Sequence, residues 1–448
     1  MSRRRKRIYP AEPVEVAITG LSHDGRGVAE IDGKKLFVHG ALPGERVRAR
    51  LTASMRRYDE AEAVEILVGS PQRVEPRCPH FGVCGGCALQ HLDAAAQILG
   101  KQGSLLQNLE RIGKVSPQKI LEPLTGPLWH YRRKARLSVR YVTRKGRVLI
   151  GFRERKGRFV AEMNECHVLD ERVARLLPQL SGLIGSLDAR ERIAQIEVAC
   201  GDHGGKTPSC ALVFRHLDPL SPGDEEKLAA FARGHGIAVW LQSGAPASQR
   251  LLEPPQSELE FSVPEYGIKL GFGPSDFIQV NTELNRAMVR HALRLLKPKP
   301  TDQVLDLFCG LGNFTLPLAR LAGHVTGVEG EAELVEKARQ NALRNGIENV
   351  DFQVADLTGA VDETAWLRRH YDMILLDPPR SGALEMLPHL AATAAHRLVY
   401  ISCHPASLAR DAGVLVNECG FVLAAAGVMD MFPHTSHVES IACFERNK

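Results

Sequence analysis

The last third of the chain alternates short apolar runs with longer stretches of helical composition. Each apolar run is rich in β-branched or aromatic residues and stops at a turn signal, which is typical of buried strands. Alternating strands and helices at this spacing predict a parallel, doubly wound sheet with right-handed crossovers. The predicted strands are residues 303–308, 324–329, 350–355, 371–376 and 398–403 with two final strands after them, and the predicted helices include residues 332–345, 383–391 and 406–418.

Near the amino terminus the pattern changes to short alternating strands separated by turn signals such as Asp32-Gly33 and Leu42-Pro43-Gly44. Several strands this short and this evenly spaced predict a small antiparallel barrel. From the residues alone, an OB-like and an SH3-like interaction module of unknown ligand fit equally well. The predicted strands are residues 14–19, 27–31, 35–38, 45–53 and 61–67, and a short basic tail at residues 3–7 precedes them.

The region between these two parts mixes both kinds of pattern. Strands are predicted at residues 195–199 and 209–214, and helices at residues 92–113 and 224–235. A further helix at residues 171–177 should be ended or kinked by Pro178, because proline has no backbone N–H and clashes with the preceding turn. The middle of the chain is therefore predicted to be an α+β domain.

The length of 448 residues exceeds what one compact core accommodates, so we expect two to three domains. We divide the chain into a barrel at residues 10–69, a central domain at 70–270 and a carboxyl-terminal domain at 271–448. No apolar run approaches the length needed to span a bilayer, and no apolar stretch follows the basic amino terminus. We therefore expect a cytoplasmic protein.

The net charge of +5 is mild but unevenly distributed. Between Trp129 and Val160 there are twelve lysines and arginines and a single acid, Glu154. Such a stripe is typical of a surface that binds a polyanion, although short charge runs are often only solvated faces. The aromatic residues Tyr131, Tyr141 and Phe152 interleave with the arginines and offer either stacking surfaces for bases or core contacts. Nucleic acid is the favoured partner.

Ten cysteines in a reducing compartment indicate metal or catalytic roles and disfavour disulfides. Cys78, Cys84 and Cys87 lie close together with glycines between them, and Cys166 is the nearest candidate for a fourth soft ligand. Structural zinc usually shows two paired Cys-x-x-Cys knuckles, so one tight triple with a distant single cysteine favours an iron-sulfur cluster. The spacing does not fit a radical enzyme that cleaves S-adenosylmethionine.

A glycine turn follows the first strand of the carboxyl-terminal sheet, in the stretch from Asp306 to Thr315. Glu329 ends the next predicted strand, where an acid is placed to bind ribose hydroxyls, and Asp356 follows the third. This pattern fits NAD as well as S-adenosylmethionine. A dinucleotide site wants G-x-G-x-x-G, whereas here the third glycine is missing and an acid starts the motif, which favours a cofactor without phosphates.

Three further side chains are predicted at the same edge of the sheet. Asp377 ends the fourth strand and is followed by two prolines, a layout suited to presenting a carboxylate to a planar base. Cys403 ends the fifth strand, and Glu439 begins the last one. Taken alone, Cys403 is more simply read as a buried core residue and Glu439 as a surface residue. Ligands bind at the carboxyl ends of such strands, so their convergence favours a nucleophile with a partner.

Together these residues resemble the uracil-C5 RNA methyltransferases over nearly the whole chain. The motifs that carry the resemblance are Phe277-Ile278-Gln279-Val280-Asn281, the glycine turn from Asp306, Asp377-Pro378-Pro379-Arg380, Ser402-Cys403-His404-Pro405 and His437-Val438-Glu439-Ser440. The family's catalytic motif commonly reads Ser-Cys-Asn-Pro, so His404 is a departure that concerns a local contact. The stretch from Gly20 to Gly27 and Leu42-Pro43-Gly44-Glu45 also resemble a TRAM domain, an OB-like barrel found on RNA-modifying enzymes.

The resemblance implies a class I, Rossmann-like methyltransferase domain and S-adenosyl-L-methionine as cofactor. The barrel and the cysteine group point to the ribosomal branch of the family, which implies 23S rRNA as substrate, uracil 1939 as target and a [4Fe-4S] cluster on Cys78, Cys84, Cys87 and Cys166. The implied cofactor-binding residues are Gln279, Phe308, Asn313, Glu329, Asp356 and Asp377. We expect a monomer.

The chemistry explains the implied roles of Cys403 and Glu439. Uracil C5 is a weak nucleophile, so the thiolate of Cys403 would add to C6 and activate C5. A base must afterwards remove the C5 proton, and Glu439 is the family-matched candidate. A uracil in folded RNA must first be flipped out, which gives the barrel and the basic stripe a task. Alternatives are action on two 23S sites or on tRNA, an NAD-dependent oxidoreductase, and a non-catalytic RNA chaperone or assembly factor.

Overall fold

The computed structural model describes residues 12–202, 208–359 and 365–446. The basic tail predicted at residues 3–7 lies outside these ranges. None of the helices in the described part of the chain is both long and apolar enough to cross a membrane.

The amino-terminal strands close into a barrel whose interior is filled by alternate residues such as Leu36, Val38, Val47 and Ala49. Its strands are β1 (Val14–Ala17), β2 (Gly20–Leu21), β3 (Gly27–Ile31), β4 (Lys34–His39), β5 (Arg46–Ser54) and β6 (Tyr58–Val68). They are ordered β1-β5-β6-β4-β3-β2, and only two residues separate β1 from β2, so the sheet closes on itself.

One strand pair departs from the predicted antiparallel barrel. β4 and β6 are parallel, while the other pairs in this sheet are antiparallel. The cause lies in the chain path: the β5–β6 hairpin folds back so that β6 enters between β5 and β4 in the direction of β4. Strand spacing in the sequence cannot reveal such an insertion, because pairing order depends on contacts that are distant along the chain.

The central region contains a second sheet, ordered β13-β12-β11-β10-β8-β9. Its strands are β8 (Lys134–Val142), β9 (Arg147–Gly151), β10 (Ile193–Cys200), β11 (Cys210–His216), β12 (Ala238–Gln242) and β13 (Arg250–Glu253), and the helices in the same stretch of chain are α2 (Glu171–Ala174), α3 (Leu177–Gly185) and α4 (Pro222–His235). Four elements of the region lie outside this sheet: α1 (Ala94–Asn108), β7 (Lys119–Ile120), and the separate hairpin β14 (Leu259–Val263) with β15 (Ile268–Phe272). Pro178 lies in the first turn of α3, where a proline is tolerated, so it starts a second helix.

The carboxyl-terminal sheet has eight strands, ordered β18-β17-β16-β19-β20-β22-β21-β7. Its elements are α5 (Thr282–Leu296), β16 (Gln303–Leu307), α6 (Thr315–Ala319), β17 (His324–Glu329), α7 (Ala332–Arg344), β18 (Val350–Val354), β19 (Met373–Leu376), α8 (Leu387–Ala391), β20 (Arg397–Ser402), α9 (Pro405–Asn417), β21 (Val422–Met429) and β22 (Glu439–Glu445). The five strands β18-β17-β16-β19-β20 are mutually parallel, as predicted. β22 is antiparallel to both of its neighbours, β20 and β21.

This sheet also recruits residues from well before position 271. β7 pairs in parallel with β21 and forms the outer strand. The π-helical turn after α1 packs on α9 so closely that the backbones of Gly113 and Gly413 touch, and a Cβ on Gly113 would lie 2.3 Å from the Ala409 carbonyl oxygen. The domain boundaries at residues 69 and 270 stay predictions.

Candidate active site

The side chains predicted at the carboxyl edge of the sheet come from neighbouring strands. Asp377 directly follows β19, and Cys403 directly follows β20. β22 runs antiparallel beside β20, with Ser440 opposite Ser402, so Glu439 begins β22 at the level where β20 ends. An acid, a thiol and a second acid therefore meet at one edge, although more than sixty residues separate the first from the last.

Cys403 lies half-buried in this edge. Burial raises the pKa of its thiol, and the negative charges of Glu439 and Asp377 act in the same direction. The nearby guanidinium of Arg380 opposes them and lowers the pKa of the thiol. Arg380 is therefore the group that favours the thiolate. The sequence contained Arg380 in the Asp-Pro-Pro-Arg motif, but nothing in the strand pattern indicated that it reaches Cys403.

Glu439 is almost completely buried, with 4% of its surface exposed. Burial raises the pKa of its carboxyl to about 8, with Asp377 acting in the same direction, while Arg380 and Lys101 lower it. A carboxyl that titrates near neutral pH can accept a proton and release it again. Lys101 on α1 is itself buried and donates to Asp430, an ion pair that the sequence did not reveal because 329 residues separate the partners.

His404 caps the amino terminus of α9. Its Nδ1 accepts a hydrogen bond from the backbone N–H of Ser407 at 3.3 Å and lies 2.9 Å from the Ser407 hydroxyl. An asparagine oxygen could accept the same backbone bond, so the departure from Ser-Cys-Asn-Pro conserves the cap. The Ser407 hydroxyl donates to the Arg380 carbonyl at 2.6 Å, which ties the cap to the Asp-Pro-Pro-Arg turn.

The glycine turn after β16 is built around the buried Asp306. The Thr315 hydroxyl donates to its Oδ2 at 2.5 Å, and burial raises the pKa of this carboxyl to about 7. Its Oδ1 is buried without a hydrogen-bond partner among the described residues. Gly310 and Gly312 adopt φ values of 52° and 91°, a backbone region that side chains other than glycine rarely occupy. The turn thus places an unpaired acceptor, Asp306 Oδ1, beside glycines whose backbone a ligand can approach closely.

The remaining cofactor candidates lie around this turn with different orientations. Glu329 accepts the Gly310 N–H at 3.0 Å, and Asn313 exchanges side-chain hydrogen bonds of 2.9 Å with Asn285 on α5. Phe308 directly follows β16 and is half-exposed, and Gln279 is half-exposed just before α5. Asp356 is exposed, and its carboxylate accepts the Thr358 N–H of its own loop. The structure therefore brings Glu329, Phe308 and Asn313 around the turn, whereas Gln279 and Asp356 have no hydrogen bond to it among the described residues.

The four predicted metal ligands converge on one enclosed site. Cys78, Cys84, Cys87 and Cys166 line it together with aromatic and apolar side chains. Burial raises the pKa of Cys84 to about 11 and that of Cys87 to about 12. No three of these Sγ atoms, all in the described part of the chain, lie within 4.8 Å of one another. A tetrahedral zinc would hold its sulfurs about 3.8 Å apart.

A second group of buried ligand-type side chains, Asp170, Cys200 and Cys210, does lie within 4.8 Å. Here Arg172 donates to both carboxylate oxygens of Asp170, and Arg133 forms an ion pair with it at 3.2 Å. The carboxylate is thus already neutralised by two guanidinium groups. This group is therefore a structural cluster of the central sheet, not a vacant place for a cation.

The basic stripe is less charged in three dimensions than in the sequence. Acids from outside the stripe pair with it: Glu62 with Arg155 and Lys156, and Glu197 with Arg136. Arg140, Arg144, Arg153 and Arg158 remain exposed. Tyr131 is only 4% exposed and donates to the Pro433 carbonyl, so of the two readings it is a core residue and not a stacking surface.

Comparisons with known proteins agree with this geometry. Residues 96–447 match the tRNA (uracil-5-)-methyltransferase family, and residues 8–64 match the TRAM domain. The chain is 56% identical over 447 residues to a protein of Alkalilimnicola ehrlichii named 23S rRNA (uracil(1939)-C(5))-methyltransferase, covering 100% of this chain and 99% of the relative. A protein of Xanthomonas oryzae pv. oryzae with the same name is 54% identical, with 100% of both chains covered.

A solved structure with the same fold is that of the Pyrococcus abyssi tRNA (uracil-54, C5)-methyltransferase in complex with S-adenosyl-L-homocysteine. It superposes with a TM-score of 0.73 at 22% identity, over 96% of this chain and 100% of that one. At this identity the likeness concerns the fold. The full-length relatives and the family match together lead to one conclusion: this chain belongs to the uracil-C5 RNA methyltransferase family and carries an amino-terminal TRAM domain.

Proposed function

We propose that the protein uses S-adenosyl-L-methionine to methylate C5 of uridine 1939 in 23S rRNA. The observation that carries the proposal is the meeting of Cys403, Glu439 and Arg380 at the edge that also holds the glycine turn. The names of relatives that are more than half identical over the whole chain supply the RNA and the nucleotide.

In the first step the Cys403 thiolate adds to uracil C6, which makes C5 nucleophilic. Arg380 stabilises the thiolate through its positive charge. S-adenosyl-L-methionine supplies the methyl group that C5 accepts. Glu439 then removes the C5 proton, the C5–C6 double bond re-forms, and the thiolate leaves. Because the pKa of Glu439 is about 8, the carboxyl is poised between its two protonation states at neutral pH.

The side chains at the sheet edge around the glycine turn are chemically suited to S-adenosyl-L-methionine. The Oδ1 of the buried Asp306, which has no hydrogen-bond partner among the described residues, is an acceptor for a cationic amino group such as that of S-adenosyl-L-methionine. We assign cofactor binding to residues around the turn, with Asp377 also close to the base. These residues are Gln279, Phe308, Asn313, Glu329, Asp356 and Asp377.

We further propose that Cys78, Cys84, Cys87 and Cys166 hold a [4Fe-4S] cluster. Two features support it. The four thiols face one another, burial raises the pKa values of Cys84 and Cys87, and a bound metal would stabilise them as thiolates; no three of the four sulfurs lie as close together as one zinc ion requires. Anaerobic purification with iron and sulfide analysis tests the assignment: about four of each per chain is expected, whereas a colourless protein with stoichiometric zinc contradicts it.

RNA binding is assigned to the barrel and to the exposed arginines of the central region. A uridine inside folded RNA must leave its stack before C6 can reach Cys403, and contacts to the surrounding backbone offset that cost. The test of the whole proposal is incubation of unmodified 23S rRNA with the protein and a labelled cofactor, followed by mass mapping. Label at uridine 1939 alone is expected, and label at a second uridine adds a target; a parallel incubation with unmodified tRNA should stay unlabelled, label on tRNA alone changes the substrate, and no label on either RNA overturns the function.

A further inference from the structure

The nine-residue loop from Asp430 to Val438 connects β21 to β22 and ends directly before Glu439. Glu439 lies at the active edge, the edge of the carboxyl-terminal sheet that also holds Asp377 and Cys403. Met429 pairs with Glu439 across its base. Loops of this length are held by their own contacts or move. The contacts at the middle of this loop, around His434, come from residues that flank the cysteine site, and they connect two centres that the proposed reaction keeps separate.

The cysteine segment binds the loop directly through its backbone. The N–H groups of Ala88 and Leu89, which come immediately after Cys87, both donate to the His434 carbonyl oxygen, at 2.8 and 3.0 Å. Any rearrangement of Cys87 therefore reaches His434 through one or two peptide units. On the same side, the Tyr131 hydroxyl donates to the neighbouring Pro433 carbonyl at 3.0 Å.

Side-chain stacking adds a second connection. The ring of Trp129 stacks on His434 with centroids 4.0 Å apart. Trp129 also contacts His167 edge-on at 6.2 Å and lies under the Arg77 guanidinium at 5.2 Å. His167 follows Cys166 and Arg77 precedes Cys78, so residues flanking two further ligands pack on the ring that supports His434.

Helix α1 completes the support. Gln97 accepts the His434 N–H at 2.9 Å with its amide oxygen and donates to the Leu89 carbonyl at 2.9 Å with its amide nitrogen. One side chain thereby joins the loop to the cysteine segment. Lys101, one turn further along, donates to Asp430 at 2.7 Å and to the Phe432 carbonyl at 3.0 Å. Both side chains are buried, so these bonds are not exchanged with water.

His434 itself needs this support. It is 4% exposed and has a φ of 64°, a conformation that costs a non-glycine residue free energy and persists only where the surroundings enforce it. From His434 the loop continues to His437, whose Nδ1 accepts a hydrogen bond from Arg380 at 3.0 Å. Two groups of the proposed reaction, Glu439 and Arg380, thus depend on the path of this loop.

We propose that the loop from Asp430 to Val438 is a positioning element through which the occupied cysteine site fixes Glu439 and Arg380 for catalysis. The proposal rests on the proposed function for its chemical consequence. When the cysteine segment loosens, the loop loses the two hydrogen bonds that the Ala88 and Leu89 N–H groups donate to the His434 carbonyl oxygen. Glu439 then takes the C5 proton more slowly, the electron pair does not re-form the C5–C6 bond, and Cys403 stays bound to the RNA.

The first test needs no methylation. Hydrogen–deuterium exchange is measured on the holoenzyme and on protein whose iron has been removed anaerobically with a chelator. The His434 amide, now bonded to Gln97, is expected to exchange at least about tenfold faster after iron removal, while the β14–β15 hairpin is unchanged. Unchanged exchange of the loop overturns the proposal, and it does so whether or not the protein methylates 23S rRNA.

Faster exchange in the β14–β15 hairpin as well would mean that iron removal loosens the protein in general. The variant Tyr131→Phe then tests the loop separately, because it removes one hydrogen bond to the loop and leaves the four cysteines intact. Its iron content is expected to match wild type, while the covalent RNA adduct resolves about fivefold more slowly. Asn164→Ala is the matched control, because Asn164 bonds His80 beside the cysteine site and has no bond to the loop among the described residues. Adduct resolution at the wild-type rate in Tyr131→Phe overturns the proposal.

Discussion

The active edge and the cysteine site both depend on cysteine, yet they surround their sulfur atoms in opposite ways. Cys403 is half-buried and has the Arg380 guanidinium beside it, which favours a thiolate. Cys84 and Cys87 face other thiols in an apolar enclosure, and burial raises their pKa values. A half-buried sulfur beside a cation can attack a substrate, whereas sulfurs that face one another become thiolates when they bind a metal. The surroundings, and not the residue type, separate the two roles.

The largest effects are expected when a cysteine of each kind is replaced by a residue that cannot do its task. Cys403→Ala should lower methylation at least about 1,000-fold, because it removes the thiolate that activates C5. Cofactor binding, measured by calorimetry, and iron content should be retained. Cys87→Ser should show the reverse pattern, with iron lost and a covalent RNA adduct still formed. Methylation by Cys403→Ala near the wild-type rate would contradict the covalent mechanism.

The role of the buried acid is tested next. Glu439→Gln should lower turnover about 100-fold or more and leave a protein–RNA adduct that survives denaturing electrophoresis, since addition and methyl transfer precede proton removal. Glu445→Gln, at the far end of the same strand, is the matched control and should turn over normally. Clean turnover by Glu439→Gln at the wild-type rate would remove Glu439 from the base role.

The pH dependence follows from the same carboxyl. Glu439 must be ionised to accept the C5 proton, and its pKa of about 8 means that the base is lost as the pH falls below that value. The pKa of Cys403 is also raised, so the thiolate is lost in the same direction. Single-turnover rates should fall by up to about 50-fold from pH 8 to pH 6 if Glu439 alone limits the rate. A rate that is flat over this range would contradict a buried base.

Without the Arg380 guanidinium, the pKa of Cys403 should rise further, as burial raises the pKa values of Cys84 and Cys87. Arg380→Gln deletes the positive charge that lowers the pKa of the thiol, so adduct formation should slow about tenfold and should recover at higher pH as the thiol ionises. Rapid-quench measurement of adduct against pH gives both quantities. Arg410→Gln, whose side chain bonds Ser381 and Asp411 nearby, is the control. A pH profile identical to wild type would show that Arg380 does not act on the thiol.

The smallest effect is expected at His404. His404→Asn should change turnover and melting temperature little, within about twofold for turnover, because asparagine can accept the Ser407 N–H in the same cap. His404→Ala, which removes the cap, should lower the melting temperature instead. Loss of activity in His404→Asn with unchanged stability would give the imidazole a direct task at Cys403.

The sequence predicted the carboxyl-terminal strands and the residues at their ends well, because buried parallel strands are continuous apolar runs and their ends share an edge. Asp377, Cys403 and Glu329 could therefore be located in advance. Contacts between distant parts of the chain were not predictable: Arg380 at the thiol, Lys101 with Asp430, and the parallel β4–β6 pair each depend on tertiary packing. Charge counting along the chain also failed to include Glu62 and Glu197.

The outer strand β7 has a consequence for how the chain can be divided. It comes from residues 119–120, yet it covers the edge of β21, and the turn after α1 packs against α9. A fragment of residues 271–448 would expose an unpaired strand edge and an uncovered helix face, which favours association between copies. Such a fragment should aggregate, while one that begins before α1 should remain monodisperse. The carboxyl-terminal sheet is thus complete only with β7 and the turn after α1, which precede its other strands by more than 180 residues in the sequence.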